Sequence, residues 1–315
     1  MDLAVAFHVC ATYVVGFALL LLNTPAFIAL LSSKLRARYA VLAALLMTCA
    51  LNGVQCLGHA TKSLIAVRNP DSAQEFTNAL SCVTDPINMI DQFTFTAVPV
   101  MLMMSSIDRW LVFTYPLQYC YRTVKYVVTQ IVCAYAFTLF VQAVTIAWIG
   151  LYNPAARSVT CAKTNYMPGE LYTLLVFIRV SAASLSILFM LSTLVKLRVR
   201  VETSAQYRTD AQLRAFMRRQ RSFTNAMLFS CAFTFVLFVV PTCVSLYGRF
   251  AYSDDPEFGQ FTRFVTFFNS FNMVLVIFAR TPEIRRQLFQ TFCGHFNCTK
   301  TCSIVQHIDG KTTHA

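Results

Sequence analysis

Charge is scarce in this chain. Only 13% of its 315 residues are Asp, Glu, Lys or Arg. A soluble domain of this length carries roughly twice that fraction. Histidine is scarcer still. The five His residues (8, 59, 295, 307 and 314) lie near segment ends or in the last stretch of the chain. No spacing of His, Cys and acids matches a metal site, and no nucleophile–base pair stands out, so neither an enzyme nor a metal or cofactor site is expected. Internal repeats, which a transporter of inverted-repeat design would show, are also missing.

What the chain has in quantity is hydrophobic sequence, 57% of the total. Met1–Leu22 lacks the basic n-region and small-residue cleavage site of a signal peptide, and its apolar run continues to Leu31. It reads as a first span. Further runs at about 40–66, 82–114, 124–150, 170–196, 222–249 and 258–280 are long enough to cross a ~30 Å hydrocarbon core. Backbone polar groups in lipid must pair within their own segment, so these runs are helices. The expected fold is all-α: a seven-transmembrane helix bundle over residues 1–293, followed by a disordered tail at 294–315.

The net charge of +12 is distributed unevenly. Seven spans make the connections alternate sides. The loops after spans one, three and five plus the tail, with Arg109 at the end of span three included, hold 19 of the 26 Lys and Arg. Acids tilt the other way, with Asp2, Asp71, Glu75, Asp254, Asp255 and Glu257 on the opposite side. Positive charge is retained in the cytoplasm, which places the N-terminus outside and the C-terminus inside. Membrane orientation accounts for the basic loops, so lipid is the expected partner and nucleic acid is not. The expected location is the plasma membrane.

Of the 12 cysteines, Cys49, Cys56, Cys133, Cys231 and Cys243 sit mid-span, where they read as small apolar packing residues. Cys82 and Cys161 fall at outer positions and are candidates for a disulfide, which spacing alone leaves open. Cys293, beside the membrane in the tail, is a candidate for palmitoylation.

The end of span three reads Ser105-Ser-Ile-Asp108-Arg109-Trp110-Leu-Val-Phe-Thr-Tyr115-Pro116-Leu117. This segment resembles the Asp-Arg-Tyr…Pro-Leu signature of rhodopsin-like G protein-coupled receptors, with Trp110 in place of Tyr. The chain departs from that family elsewhere. Val239 stands two residues before Pro241, where the family has Trp. Asn272-Met-Val-Leu-Val276 replaces Asn-Pro-x-x-Tyr. Span two has Asn52 near the place of a sodium-binding Asp. In this divergence it is similar to the nematode serpentine chemosensory receptors. Thr281-Pro-Glu-Ile-Arg-Arg-Gln-Leu-Phe resembles the family's short amphipathic helix after span seven. Span seven contains no Lys, which excludes a retinal Schiff base.

The resemblance implies a Cys82–Cys161 bond, a hinge at Pro241, and coupling to a heterotrimeric G protein through Asp108, Arg109, Trp110 and Pro116. Arg109 would pair with Asp108 at rest and swing to the G protein on activation. Asp91 lies 18 residues before Arg109, five helical turns, on the same side of the helix. Phe95, Val98, Leu102 and Ser105 continue that stripe. Arg179 is the one basic residue well inside a span, and intramembrane charges face the bundle interior in pairs. Asp91 and Arg179 are expected to approach one another in the outer half of the bundle, either as a structural ion pair or across a pocket for a small polar or zwitterionic ligand, with Phe95 and Tyr247 lining it. A short peptide is the other ligand class the short N-terminus admits. The rival from another class is a ligand-gated channel of the insect odorant-receptor kind, whose inside N-terminus disagrees with the charge count.

Overall fold

The computed structural model describes residues 3–31, 36–68, 76–115, 124–152, 156–158, 161, 167–203, 228–251, 262, 264–272, 274, 275, 285 and 288. Six helices among them are long and apolar enough to cross a membrane. They are α1 (Leu3–Leu30), α2 (Arg36–Arg68), α4 (Pro86–Thr114), α5 (Val124–Tyr152), α6 (Gly169–Thr203) and α7 (Leu228–Gly248). A short α3 (Ala79–Thr84) precedes α4. Strands β1 (Phe76–Asn78) and β2 (Ala156–Ser158) pair antiparallel beside it. Residues 264–272 form a further helical segment, α8.

The pattern of burial is that of a bundle in lipid. Phe17, Phe140, Phe177, Leu188 and Val236 point outward, while Asn23, Asn52, Asp91, Asp108, Arg109 and Arg179 are buried. A surface so apolar would drive association in water. In a bilayer it meets hydrocarbon, and the polar groups turn inward to one another. The chain is therefore a multi-pass membrane protein.

Helix α4 occupies the centre, packed against α2, α5 and α6, while α1 lies on α2 and α7 on α6. The expected stripe on α4 is inside: Asp91, Val98, Leu102, Ser105 and Arg109 are all buried. Pro99 lies within the continuous helix. One boundary differs from expectation. Cys82 does not begin the third span. It lies on α3, separated from α4 by Asp85 (φ −58, ψ 130). Pro86 causes the break: it disfavours helical backbone at the residue before it and suits the first turn of a new helix. The Asp85 side chain caps that helix by accepting from the N–H groups of Ile87 and Asn88. Pro116, Cys293, the segment resembling an amphipathic helix (apart from Arg285 and Leu288) and the tail lie outside the described residues.

Buried polar contacts stitch the helices together. Thr94 of α4 donates to Asn52 of α2 at 3.4 Å, and Asn52 donates to Ser270 of α8 at 2.9 Å. Thr234 of α7 donates to Asn269 at 2.9 Å, and Asn272 donates to the Ser230 carbonyl at 2.8 Å. Ser106 of α4 meets Ser186 of α6 at 2.8 Å.

Helices α1 and α2 touch backbone to backbone at Gly16 and Gly53. A Cβ at Gly53 would lie 2.9 Å from the Gly16 carbonyl oxygen and 3.1 Å from Leu19 Cβ. Small residues at such crossings let helices approach closely in membranes. Gly53→Val is expected to cost about 1–3 kcal/mol through overpacking and to lower both the yield and the melting temperature of detergent-solubilised protein. Gly169→Ala is the control, because a Cβ there meets nothing within 4 Å.

Candidate functional site

Two regions of α4 carry charge inside the bundle, near its opposite ends. At the end reached by Thr114, Arg109 Nη2 lies 3.0 Å from Asp108 Oδ2, and both side chains are buried. The two are adjacent in sequence, so the pair needs no other helix to form. Trp110 stands beside them with its ring edge-on to Phe189 of α6, centroids 6.0 Å apart. Lys196 of α6 places Nζ 4.2 Å from the Trp110 ring centroid and donates to Thr114 Oγ1 at 2.9 Å. A lysine over indole is a cation–π contact. It ties the end of α6 to the end of α4 next to the Asp108–Arg109 pair, and the sequence reading did not include it.

Toward the other end, Asp91 is fully buried, with Oδ2 4.0 Å from His59 Nε2 of α2. Arg179 of α6 donates from Nε to Thr96 Oγ1 at 3.1 Å, and its guanidinium lies 4.6 Å from the Phe95 ring centroid. Phe95 follows Asp91 by four residues, so it sits one turn along the same face, about 6 Å away. Arg179 thus meets α4 at Phe95 and Thr96, four and five residues along the helix from Asp91. Phe95 in turn packs on Phe238 of α7, centroids 5.5 Å apart, in a cluster with Val180 and Ala183 of α6. Tyr247 is exposed on α7, outside this cluster. His59, Thr96 and Phe238 are the contacts the sequence reading missed.

Phe238 sits in a π turn, Phe235–Val239, that precedes the buried Pro241. The Val240 N–H reaches the Phe235 carbonyl, five residues back. Proline has no N–H and its ring crowds the carbonyl four residues before it, so the helix widens upstream of Pro241. The Thr242 hydroxyl donates to the Phe238 carbonyl. The π turn before Pro241 therefore lies where α7 touches the Phe95–Arg179 cluster.

Above Asp91 the chain is crosslinked. Cys82 and Cys161 form a disulfide that joins α3 to the segment between α5 and α6, closing a loop of 79 residues. Such a closure contributes on the order of 2–4 kcal/mol. Cys161 has φ 48, a left-handed conformation unusual for a residue other than glycine. Asn88 donates to the Cys82 carbonyl at 2.9 Å and holds α3 on α4. Lys62 of α2 donates to Asp85 at the head of α4.

Among the described residues no three His, Cys, Asp or Glu side chains gather as a metal site requires. No protein-family model matches the sequence, and a search of curated proteins finds no similar one.

Burial alone would push the Asp85 carboxyl up. The Lys62 ammonium and the N–H groups of Asn88 and Ile87 outweigh it and hold the group below the usual carboxylate range. A carboxylate lowered in the folded state stabilises above its unfolded value, and that contribution is lost as pH falls through the folded value. The melting temperature of the native chain should therefore fall more steeply than that of Asp85→Asn between roughly pH 5 and pH 3. Equal slopes would show that the Lys62–Asp85 contact adds nothing to stability.

Proposed function

We propose that this chain is a divergent rhodopsin-like G protein-coupled receptor of chemosensory type. It takes a small extracellular ligand in the half of the bundle beneath the disulfide and activates a heterotrimeric G protein at the opposite face. The observation that carries the reading is the arrangement on α4: a buried carboxylate, Asp91, near one end and a buried Asp108–Arg109 pair near the other, on one continuous helix.

Three further observations support it. Disulfides form in oxidising compartments, which favours an extracellular position for Cys82 and Cys161. The N-terminal end of α1 lies on the same side by alternation, in agreement with the surplus of Lys and Arg on the other side. Segment α8 supports a seventh span: Asn269, Ser270 and Asn272 are buried against α2 and α7, within an apolar run at 258–280. A seventh crossing puts the two termini on opposite sides.

The ligand site we assign lies between α2, α4, α6 and α7. Asp91 is its acidic group and Arg179 its basic one, with Phe95 and Phe238 between α6 and α7 as the apolar wall. A zwitterion or small polar molecule matches both charges. Its binding would act on α7 through Phe238 and the π turn before Pro241. A ligand shifts such an equilibrium only by binding one state better than the other. At the far end, Arg109 would leave Asp108 for the G protein, and the Lys196–Trp110 contact would have to yield as α6 moves from α4.

The test is nucleotide exchange by G proteins in membranes containing the chain, with a panel of small amines and amino acids. Exchange should exceed background in the native chain and vanish in Arg109→Ala at matched surface expression. Asp91→Asn and Arg179→Gln should each weaken potency by about tenfold or more, the equivalent of 1.4 kcal/mol. Ligand-evoked current without exchange would overturn the receptor reading in favour of a channel.

A further inference from the structure

Gln55 of α2 is 1% exposed, and neither its Nε2 nor its Oε1 has a hydrogen-bond partner among the described residues. A buried carboxamide with both ends open is costly, and such groups in folded proteins call for a specific explanation. The position of Gln55 is fixed by its neighbours. Asn52 and His59, three residues before and four after it, share its helical face. Asn52 meets Thr94 of α4, and His59 meets Asp91 of α4. Helices α2 and α4 run antiparallel, so the Gln55 amide falls in the seam between them, between the levels of Thr94 and Asp91. Asn52 is already engaged by Thr94 and Ser270. The Arg179 guanidinium is held deeper, by Phe95 and Thr96.

We infer that the α2–α4 seam is a cation subsite, in which a ligand ammonium or amidinium group donates to Gln55 Oε1 and the Asp91 carboxylate, while Gln55 Nε2 donates to an acceptor on the same ligand. The inference rests on the outer ligand pocket proposed above and is independent of G protein coupling. Gln55 thereby sets the chemistry of the site: a ligand with cationic donors and a neighbouring hydroxyl or carbonyl satisfies both ends of the amide, and a purely apolar amine satisfies one. Arg179 takes the anionic end of a zwitterion on the far side of Phe95.

The probes are two small thiol reagents of opposite charge, aminoethyl and sulfonatoethyl methanethiosulfonate, added from outside to Gln55→Cys in lipid nanodiscs. Each forms a disulfide with the thiolate and releases methanesulfinate. Labelling is read at residue 55 by mass spectrometry, and each rate is divided by that reagent's rate with a free thiol in solution. The cationic reagent should react roughly tenfold or more faster, as focusing by a buried charge gives, and Asp91→Asn in the same background should remove the preference. Absent labelling, equal corrected rates, or a preference that survives Asp91→Asn would overturn the assignment. A second measurement needs no probe. Gln55→Met replaces the open amide by an apolar chain of similar size, and should raise the melting temperature of the ligand-free protein by about 2–4 °C. A fall would mean that the amide serves the fold and not a ligand. Because neither readout involves nucleotide exchange, failure here is distinguishable from failure of the coupling test.

Discussion

Hydrocarbon offers no hydrogen-bond partner, and the whole structure follows from that constraint. Backbone groups satisfy it by forming helices. Side chains satisfy it by meeting one another in the bundle interior, which fixes how each helix is rotated. Thr94, Asn52 and Ser270 join α4, α2 and α8. Ser106 and Ser186 join α4 to α6. Thr234 and Asn272 join α7 to α8. Each such contact is worth little alone, on the order of 1 kcal/mol in membrane bundles. Together they define one rotational setting in which the charges of α4 and α6 are also inside.

Within that setting, prolines shape the helices that carry the site. Pro86 breaks α3 from α4 and leaves Cys82 free to reach Cys161. Pro241 opens a π turn in α7 that presents Phe238 to Phe95. The two features bear on the same region, the disulfide from above and the π turn from the side. The opposite end of α4 is held differently, by the Asp108–Arg109 pair and by Lys196 over Trp110. Helix α6 thus touches α4 at both ends, at Phe95 and Thr96 and again at Trp110 and Thr114.

Much of this was legible in the sequence. Hydrocarbon thickness dictates run length, so six of the seven expected spans appear as helices long enough to cross a membrane, and the 18-residue spacing of Asp91 and Arg109 placed both on the buried face of α4. The start of the third span was misplaced because an apolar run hides a local break, and the Asp85-Pro86 pair was the signal available for it. The partners of Arg179 were not legible, since Thr96 and Phe95 depend on how α6 is rotated against α4. The polar row Asn52, Gln55, His59, at steps of three and four in an otherwise apolar helix, was visible and carries the contacts of α2 with α4. Lys196 over Trp110 depends on two helix ends meeting, which no local pattern encodes.

The central claim is a receptor topology: an odd number of crossings, with the disulfide face outside the cell. Epitope tags at the two termini test it directly in intact and permeabilised cells. The account predicts that the N-terminal tag is labelled in intact cells and the C-terminal tag only after permeabilisation. Labelling of both tags on the same side would mean an even number of crossings, and a C-terminal tag exposed on intact cells would invert the bundle. An N-terminal tag labelled only after permeabilisation would contradict the proposed extracellular ligand site and cytoplasmic coupling face together.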